Sequence, residues 1–202
     1  MARLRSSGGY RDTCSFQTAT IIYDATYGFC ERFLDSRSRT VDQMMQAARS
    51  GRQNIAEGSR ASATSSQTEL RLHNVACASL AELLLDYEDY LRHRRHAQWA
   101  LDSPEALAVR HVPREFKKDQ ADLTDLTDRQ RWEFYARWLD HDDPAVRANA
   151  LICLINQAMI RQIGCQTVRS AESPWSCERH RTERTPAHSS GGARRIRNAG
   201  AR

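Results

Sequence analysis

The stretch Arg39-Thr-Val-Asp-Gln-Met-Met-Gln-Ala-Ala-Arg-Ser-Gly-Arg-Gln-Asn-Ile-Ala-Glu-Gly58 decides the fold class. Val41, Met44, Met45, Ala48 and Ile55 recur at three-and-four spacing, which gathers them on one face of a helix. Thr40 and Gln43 have the spacing of a capping box, in which each side chain bonds a backbone N–H that the first turn leaves free. Gly58 stands where a left-handed residue ends a helix. The expectation is one helix over residues 40–57, thin in its middle, built to pack closely against neighbours.

Three more long helices are expected around it. Phe16, Ala19, Ile22, Tyr23, Thr26, Phe29, Cys30 and Phe33 mark one over about 15–34. The short polar link Asp35–Arg39 then favours two adjacent antiparallel helices. Beyond the small-residue loop Ser59–Ser66, Ser66 with Glu69 reads as a second capping box. It opens a helix over about 67–91, with Leu70, His73 or Asn74, Cys77, Leu80, Leu84, Tyr87 and Leu91 as its buried stripe. Asp143 before Pro144 is a cap and first-turn pair for a last helix over 144–163, with Leu151, Ile155, Ala158, Met159 and Gln162 inward and Gly164 as its stop.

The rest of the chain is expected to be accessory. Residues 1–13 read as a flexible arm. Residues 92–143 read as a helical insertion, with Thr127 and Gln130 capping a short helix that carries Trp132, Tyr135, Trp138 and Leu139 on one face. Residues 164–202 lose all periodicity and read as a disordered Arg-rich tail. No stretch alternates like a strand. The fold class expected is all-α, an antiparallel up-down four-helix bundle over 14–163.

Composition narrows the function classes. The 202-residue chain carries a net charge of +5. Residues 1–163 hold 22 basic and 22 acidic side chains, and the tail from 164 holds eight arginines against three glutamates. The excess belongs to the tail, so any electrostatic argument about the bundle rests on local patches. The longest apolar-rich run, near 148–163, is interrupted by Asn156, Gln157 and Arg161 and is too polar to span a bilayer. No apolar segment follows Met-Ala-Arg-Leu-Arg at the start, so no secretory signal is expected. Of six cysteines, Cys30, Cys77 and Cys153 lie in or beside helical stripes, which points to reduced thiols and a cytoplasmic location.

Two sets of residues then resemble a known family. Gln43-Met-Met-Gln-Ala-Ala-Arg-Ser50 with Asn54-Ile-Ala-Glu-Gly58, and Ala76-Cys-Ala-Ser-Leu-Ala-Glu-Leu83, together resemble the four-helix-bundle protein family named after proteins encoded in 23S ribosomal RNA intervening sequences. That family also includes the accessory variability determinant of diversity-generating retroelements. Asn149-Ala-Leu-Ile-Cys-Leu-Ile-Asn-Gln157 resembles the suffix extension of one branch, and the resemblance covers about residues 9–163. It implies an up-down bundle, a homo-oligomer such as a pentamer, and association with nucleic acid and with a reverse transcriptase. It brings no catalytic residues. The chain departs from the pattern after Gln162, where Gly164, Ser173-Pro-Trp-Ser-Cys177 and a distant Gly191-Gly192 replace the expected continuation.

The candidate site is a set of arginines, which suit phosphate through a planar two-pronged fork. Arg39, Arg49, Arg52 and Arg60, with Gln53, lie on or near the outward side of the second helix. Residues 32–71 hold seven arginines against four acids. Arg92, Arg94 and Arg95, with His93 and His96, cluster where the third helix ends, a place that also favours cations through the helix dipole. These seven arginines are the expected RNA or DNA contacts, and a protein-interaction scaffold is the competing expectation. Asn54 and Glu57 are expected to be structural, because no nucleophile, acid and base lie in an evident set. Cys165, Cys177, His180 and His188 match no zinc spacing, and His111 and His141 are isolated. No nucleotide loop, zincin or nucleophile-elbow motif occurs. No cofactor, metal or catalytic residue is expected, and no membrane partner.

Overall fold

The computed structural model describes residues 9–119 and 126–171. Among them every regular element is helical. A 3-10 turn over Gly9–Asp12 precedes α1 (Cys14–Phe33), α2 (Arg39–Ala61), α3 (Ser66–His93), α4 (Pro104–Asp119), α5 (Asp128–Glu133), α6 (Ala136–Leu139) and α7 (Pro144–Ala171). The all-α expectation holds. The arm expected over 1–13 is structured at its inner end, where the Tyr10 ring packs edge-on against Phe16 at 4.8 Å. Residues 1–8 lie outside the described residues, as do 172–202 of the expected tail.

Helix starts follow from local chemistry, with two shifts from expectation. Ser38, not Thr40, caps α2. The Asp35 carboxylate accepts from Arg37 N–H and its carbonyl from Ser38 N–H, so the chain turns early and Ser38 Oγ meets Thr40 N–H at 3.3 Å. Ser65, not Ser66, caps α3, accepting from Thr68 N–H at 3.2 Å. Glu69 is buried. The Thr127–Gln130 box forms in full, and Asp143 Oδ1 accepts from Ala145 N–H at 2.8 Å.

Neither glycine stop holds. α2 runs on through Gly58 to Ala61, and α7 runs on through Gly164 to Ala171. A single glycine inside a helix costs about 1 kcal/mol and ends nothing unless its backbone turns left-handed. Gly58 is instead a notch. A Cβ there would stand 2.6 Å from His73 Cδ2, and one on Gly51 would stand 2.9 Å from Leu80 Cδ2. Gly51 and Gly58, seven residues apart on α2, receive Leu80 and His73, seven apart on α3. This sets the antiparallel register and the close approach of the two helices.

The core joins α1, α2, α3, α4 and α7. Phe29, Tyr87, Ile22, Met44, Leu80, Leu83, Leu151 and Ile155 are among its fully enclosed side chains. Buried threonines on α1 are satisfied by their own helix: Thr18, Thr20 and Thr26 donate to the carbonyls of Cys14, Phe16 and Ile22. The insertion expected over 92–143 packs into the shared core. Ala106, Val109 and Val112 of α4 are buried, and Gln157 of α7 donates to the Arg110 carbonyl at 2.9 Å. Asn149 of α7 is also enclosed. It donates to Ala97 O and accepts from Trp99 N–H at 2.7 Å, tying down the connection that follows α3. The aromatic helix is broken into α5 and α6, with Tyr135, Trp138 and Leu139 buried and Trp132 Nε1–H bonded to Asp140.

α3 ends on an arginine in a glycine position. Arg95 has φ 59°, His96 N–H donates to Leu91 O at 2.9 Å, and Arg95 N–H donates to Arg92 O at 3.2 Å. This is a Schellman ending with a side chain where glycine is preferred. A left-handed non-glycine residue costs roughly 1–2 kcal/mol, partly balanced by the greater freedom glycine gives the unfolded chain. Arg95→Gly is expected to raise the unfolding free energy by about 0.5–1 kcal/mol in a urea titration. A loss of stability would show that the Arg95 side chain holds the ending together.

Candidate interaction surface

The seven arginines do not form one patch. Arg39 and Arg60 stand at opposite ends of α2, about 30 Å apart at 1.5 Å per residue. Because α2 and α3 run antiparallel, Arg39 shares an end with Arg92, Arg94 and Arg95, while Arg60 sits at the far end beside the 3-10 turn.

Most of them have work within the chain. The Arg52 guanidinium lies 4.0 Å from the centre of the Tyr23 ring. Arg60 lies 4.6 Å over the Tyr10 ring and donates to the Tyr10 hydroxyl at 3.0 Å. Arg94 lies over Tyr90, and Arg92 pairs with Asp89 at 2.6 Å. Arg39, Arg49 and Arg95 are exposed and make no ion pair or ring contact among the described residues. Stacking on a tyrosine face holds a guanidinium's plane while leaving its edge in solvent.

The buried stripe of α3 is turned from the expected one. His73, Leu80, Tyr87 and Leu91 are inside, joined by Ala76, Leu83 and Tyr90. Leu70 and Asn74 are exposed, and Cys77 and Leu84 are only half-buried. The helix carries two apolar stripes, which one set of seven-residue repeats runs together. The outer one includes Leu70, Ala78 and Leu85, with Leu70 47% and Leu85 59% exposed. The repeat Leu70, Cys77, Leu84 at seven-residue spacing, shadowed by Ala78 and Leu85, was the signal for it.

Beside that stripe a groove of about 510 Å³ runs between α2 and α3, walled by Gln43, Gln46, Ser50, Ser79, Glu82 and Asp86. Ser50 and Ser79 bond across it at 3.0 Å. An adjoining hollow of about 380 Å³ shares Gln43 and Asp86 and ends at His93 and Arg94. The Asp86 carboxyl is pushed above the usual range by burial and by the nearby charges of Asp89 and Glu82.

Burial pushes the Cys30 thiol up to about 11, and the Cys77 and Cys153 thiols are raised by the same cause. Such thiols hold their protons and are poor nucleophiles. Asn54 bonds to Ser50, a structural use. Among the described residues no three His, Cys, Asp or Glu side chains gather as metal ligands. Cys177, His180 and His188 lie outside the described residues, as does the side chain of Cys165. No family model, curated protein or solved structure matches this chain. No described helix is long and apolar enough to cross a membrane.

Proposed function

We propose that this chain is a non-enzymatic scaffold in which α1, α2, α3 and α7 form an antiparallel up-down four-helix bundle, and that copies of it self-associate. The observation that carries the reading is the outer apolar stripe of α3, where Leu70, Ala78 and Leu85 stand open and Leu85 borders a groove. Exposed leucines in a row on one helix gain by being covered. The family resemblance adds a homo-oligomer, such as a pentamer, and the placement of the cysteines adds a cytoplasmic setting in which Cys14, Cys30, Cys77 and Cys153 stay unpaired. Light scattering on the full chain at tens of micromolar is expected to give a multiple of the 23.1 kDa chain mass. A monomer under those conditions overturns the reading.

A second reading rests on Arg39 and Arg49, exposed on α2 without ion pairs. It holds that the assembled protein contacts RNA or DNA as an accessory of a mobile element, with a reverse transcriptase as protein partner. The chain beyond Ala171 holds seven arginines against three glutamates, an electrostatic pull on nucleic acid separate from the bundle, so the test uses the chain ended at Ala171. Binding of a single-stranded RNA oligonucleotide is expected to weaken linearly in log K against log salt, and Arg39→Ala with Arg49→Ala to weaken it roughly tenfold. Unchanged binding by the double variant removes that patch and leaves the scaffold.

A further inference from the structure

We infer that the groove between α2 and α3 is a socket for an arginine on α2 of a second copy, Arg49 before Arg39, so that copies join α2 of one against α3 of the next. This rests on the self-association proposed above and names what meets what.

Three observations support it. First, the socket lacks a cation. Glu82 and Asp86 wall the groove, and neither makes an ion pair among the described residues, while neighbouring Asp89 is already held by Arg92. Asp86 is half-buried and its carboxyl is raised by burial and by the negative charges of Asp89 and Glu82, a cost to its ionised form that an arriving guanidinium offsets. Second, the cation is present on the same chain and unused. Arg52, Arg60 and Arg94 are committed to tyrosine faces and Arg92 to a carboxylate, whereas Arg39 and Arg49 are exposed and unpaired. Third, the socket is bordered by the open apolar side chain of Leu85, on the same outer stripe of α3 as exposed Ala78. An ion pair seated beside covered apolar surface is shielded from water and salt, where it selects a partner and fixes register.

The unused acid and the unused base lie on different helices, so one chain offers both halves of the contact without satisfying either internally. A second copy supplies the complement at no cost in new chemistry. Neither Glu82 nor Asp86 stood out in the sequence, because α3 is rich in acids and only the groove distinguishes these two.

The test is charge reversal followed by mixing, on the full chain, read by light scattering at one protein concentration and moderate salt. Arg49→Glu and Glu82→Arg with Asp86→Arg are each expected to weaken assembly by about tenfold or more, since like charges then face each other. Mixing the two variants is expected to restore an assembly containing both. Glu82→Arg alone, at an exposed site, serves if the double reversal lowers the thermal midpoint. Reversal variants that assemble like the parent overturn the socket and leave self-association standing. Variants that dissociate but fail to reassemble on mixing overturn the pairing as well. A parent chain that is itself monomeric removes the self-association reading, and the socket with it.

Discussion

Replacing Tyr87 by alanine is expected to lower the unfolding free energy by roughly 3–5 kcal/mol, the range for deleting an enclosed aromatic ring. The Tyr87 ring has no exposure and meets the edge of Phe29 at 5.2 Å between centroids. Its hydroxyl donates to Thr26 Oγ1 at 3.0 Å, and Thr26 in turn donates to the Ile22 carbonyl at 2.7 Å. The two-bond chain runs from α3 into α1 through the middle of the core, where no water competes. Tyr87→Phe keeps the ring and removes one hydrogen bond, so it is expected to cost only about 1 kcal/mol. Urea titrations of both variants separate the two contributions. A Tyr87→Ala cost below about 1 kcal/mol is incompatible with a ring enclosed by packing on every side.

Gly58→Ala is expected to cost about 1–2 kcal/mol, the overpacking of a closed site less the helix preference of alanine over glycine. The new Cβ meets His73 Cδ2 and Nε2 at 2.6 and 2.7 Å, and His73 has little room to retreat because it is buried. The informative measurement is the same substitution in a His73→Ala background. There the clash is gone and only the preference remains, so Gly58→Ala is expected to stabilise by up to about 1 kcal/mol. Equal effects in both backgrounds would mean that the notch does not set the helix approach. The same contact gives a pH dependence. Burial lowers the His73 pKa below the ordinary histidine value, and Nε2 is enclosed without a hydrogen-bond partner. The unfolded chain takes up the proton first, so this contribution is complete above the ordinary histidine pKa and declines as pH falls through it. His73→Ala is expected to flatten that decline.

Helix periods and some caps are legible where the controlling contact is local, although the caps of α2 and α3 fall at Ser38 and Ser65, just before the expected Thr40 and Ser66. The α1 stripe from Ala19 to Cys30, the Asp143 cap and the Thr127–Gln130 box each depend on residues within a few positions, and each is found. The glycine, the insertion and the surface arginines share a different cause. Gly58 was read by its rule of thumb as a stop, but its meaning comes from His73, fifteen positions away on another helix. α4 falls within the expected helical insertion, but its bounds are not readable, because Pro113 inside it speaks against a helix while Val109 and Val112 are retained by packing in the shared core. On the surface, the arginines were visible as types, but their partners were not. Tyr23 beneath Arg52 and Tyr10 beneath Arg60 are distant in sequence, and so are the two walls of the groove.

Asn149 imposes an order in time. The amide that fixes Ala97 and Trp99 comes some fifty residues after them, so the connection leaving α3 is made long before its fastener exists. During synthesis, or in any fragment ending before α7, that connection has no clamp. The hairpin of α2 and α3, whose contacts are closer in sequence, closes without waiting for it. Contacts of long sequence separation form late because their loop closure must be met first. The chain is thus assembled as a helical hairpin that matures, with the arrival of α7 serving as the event that locks what was made earlier.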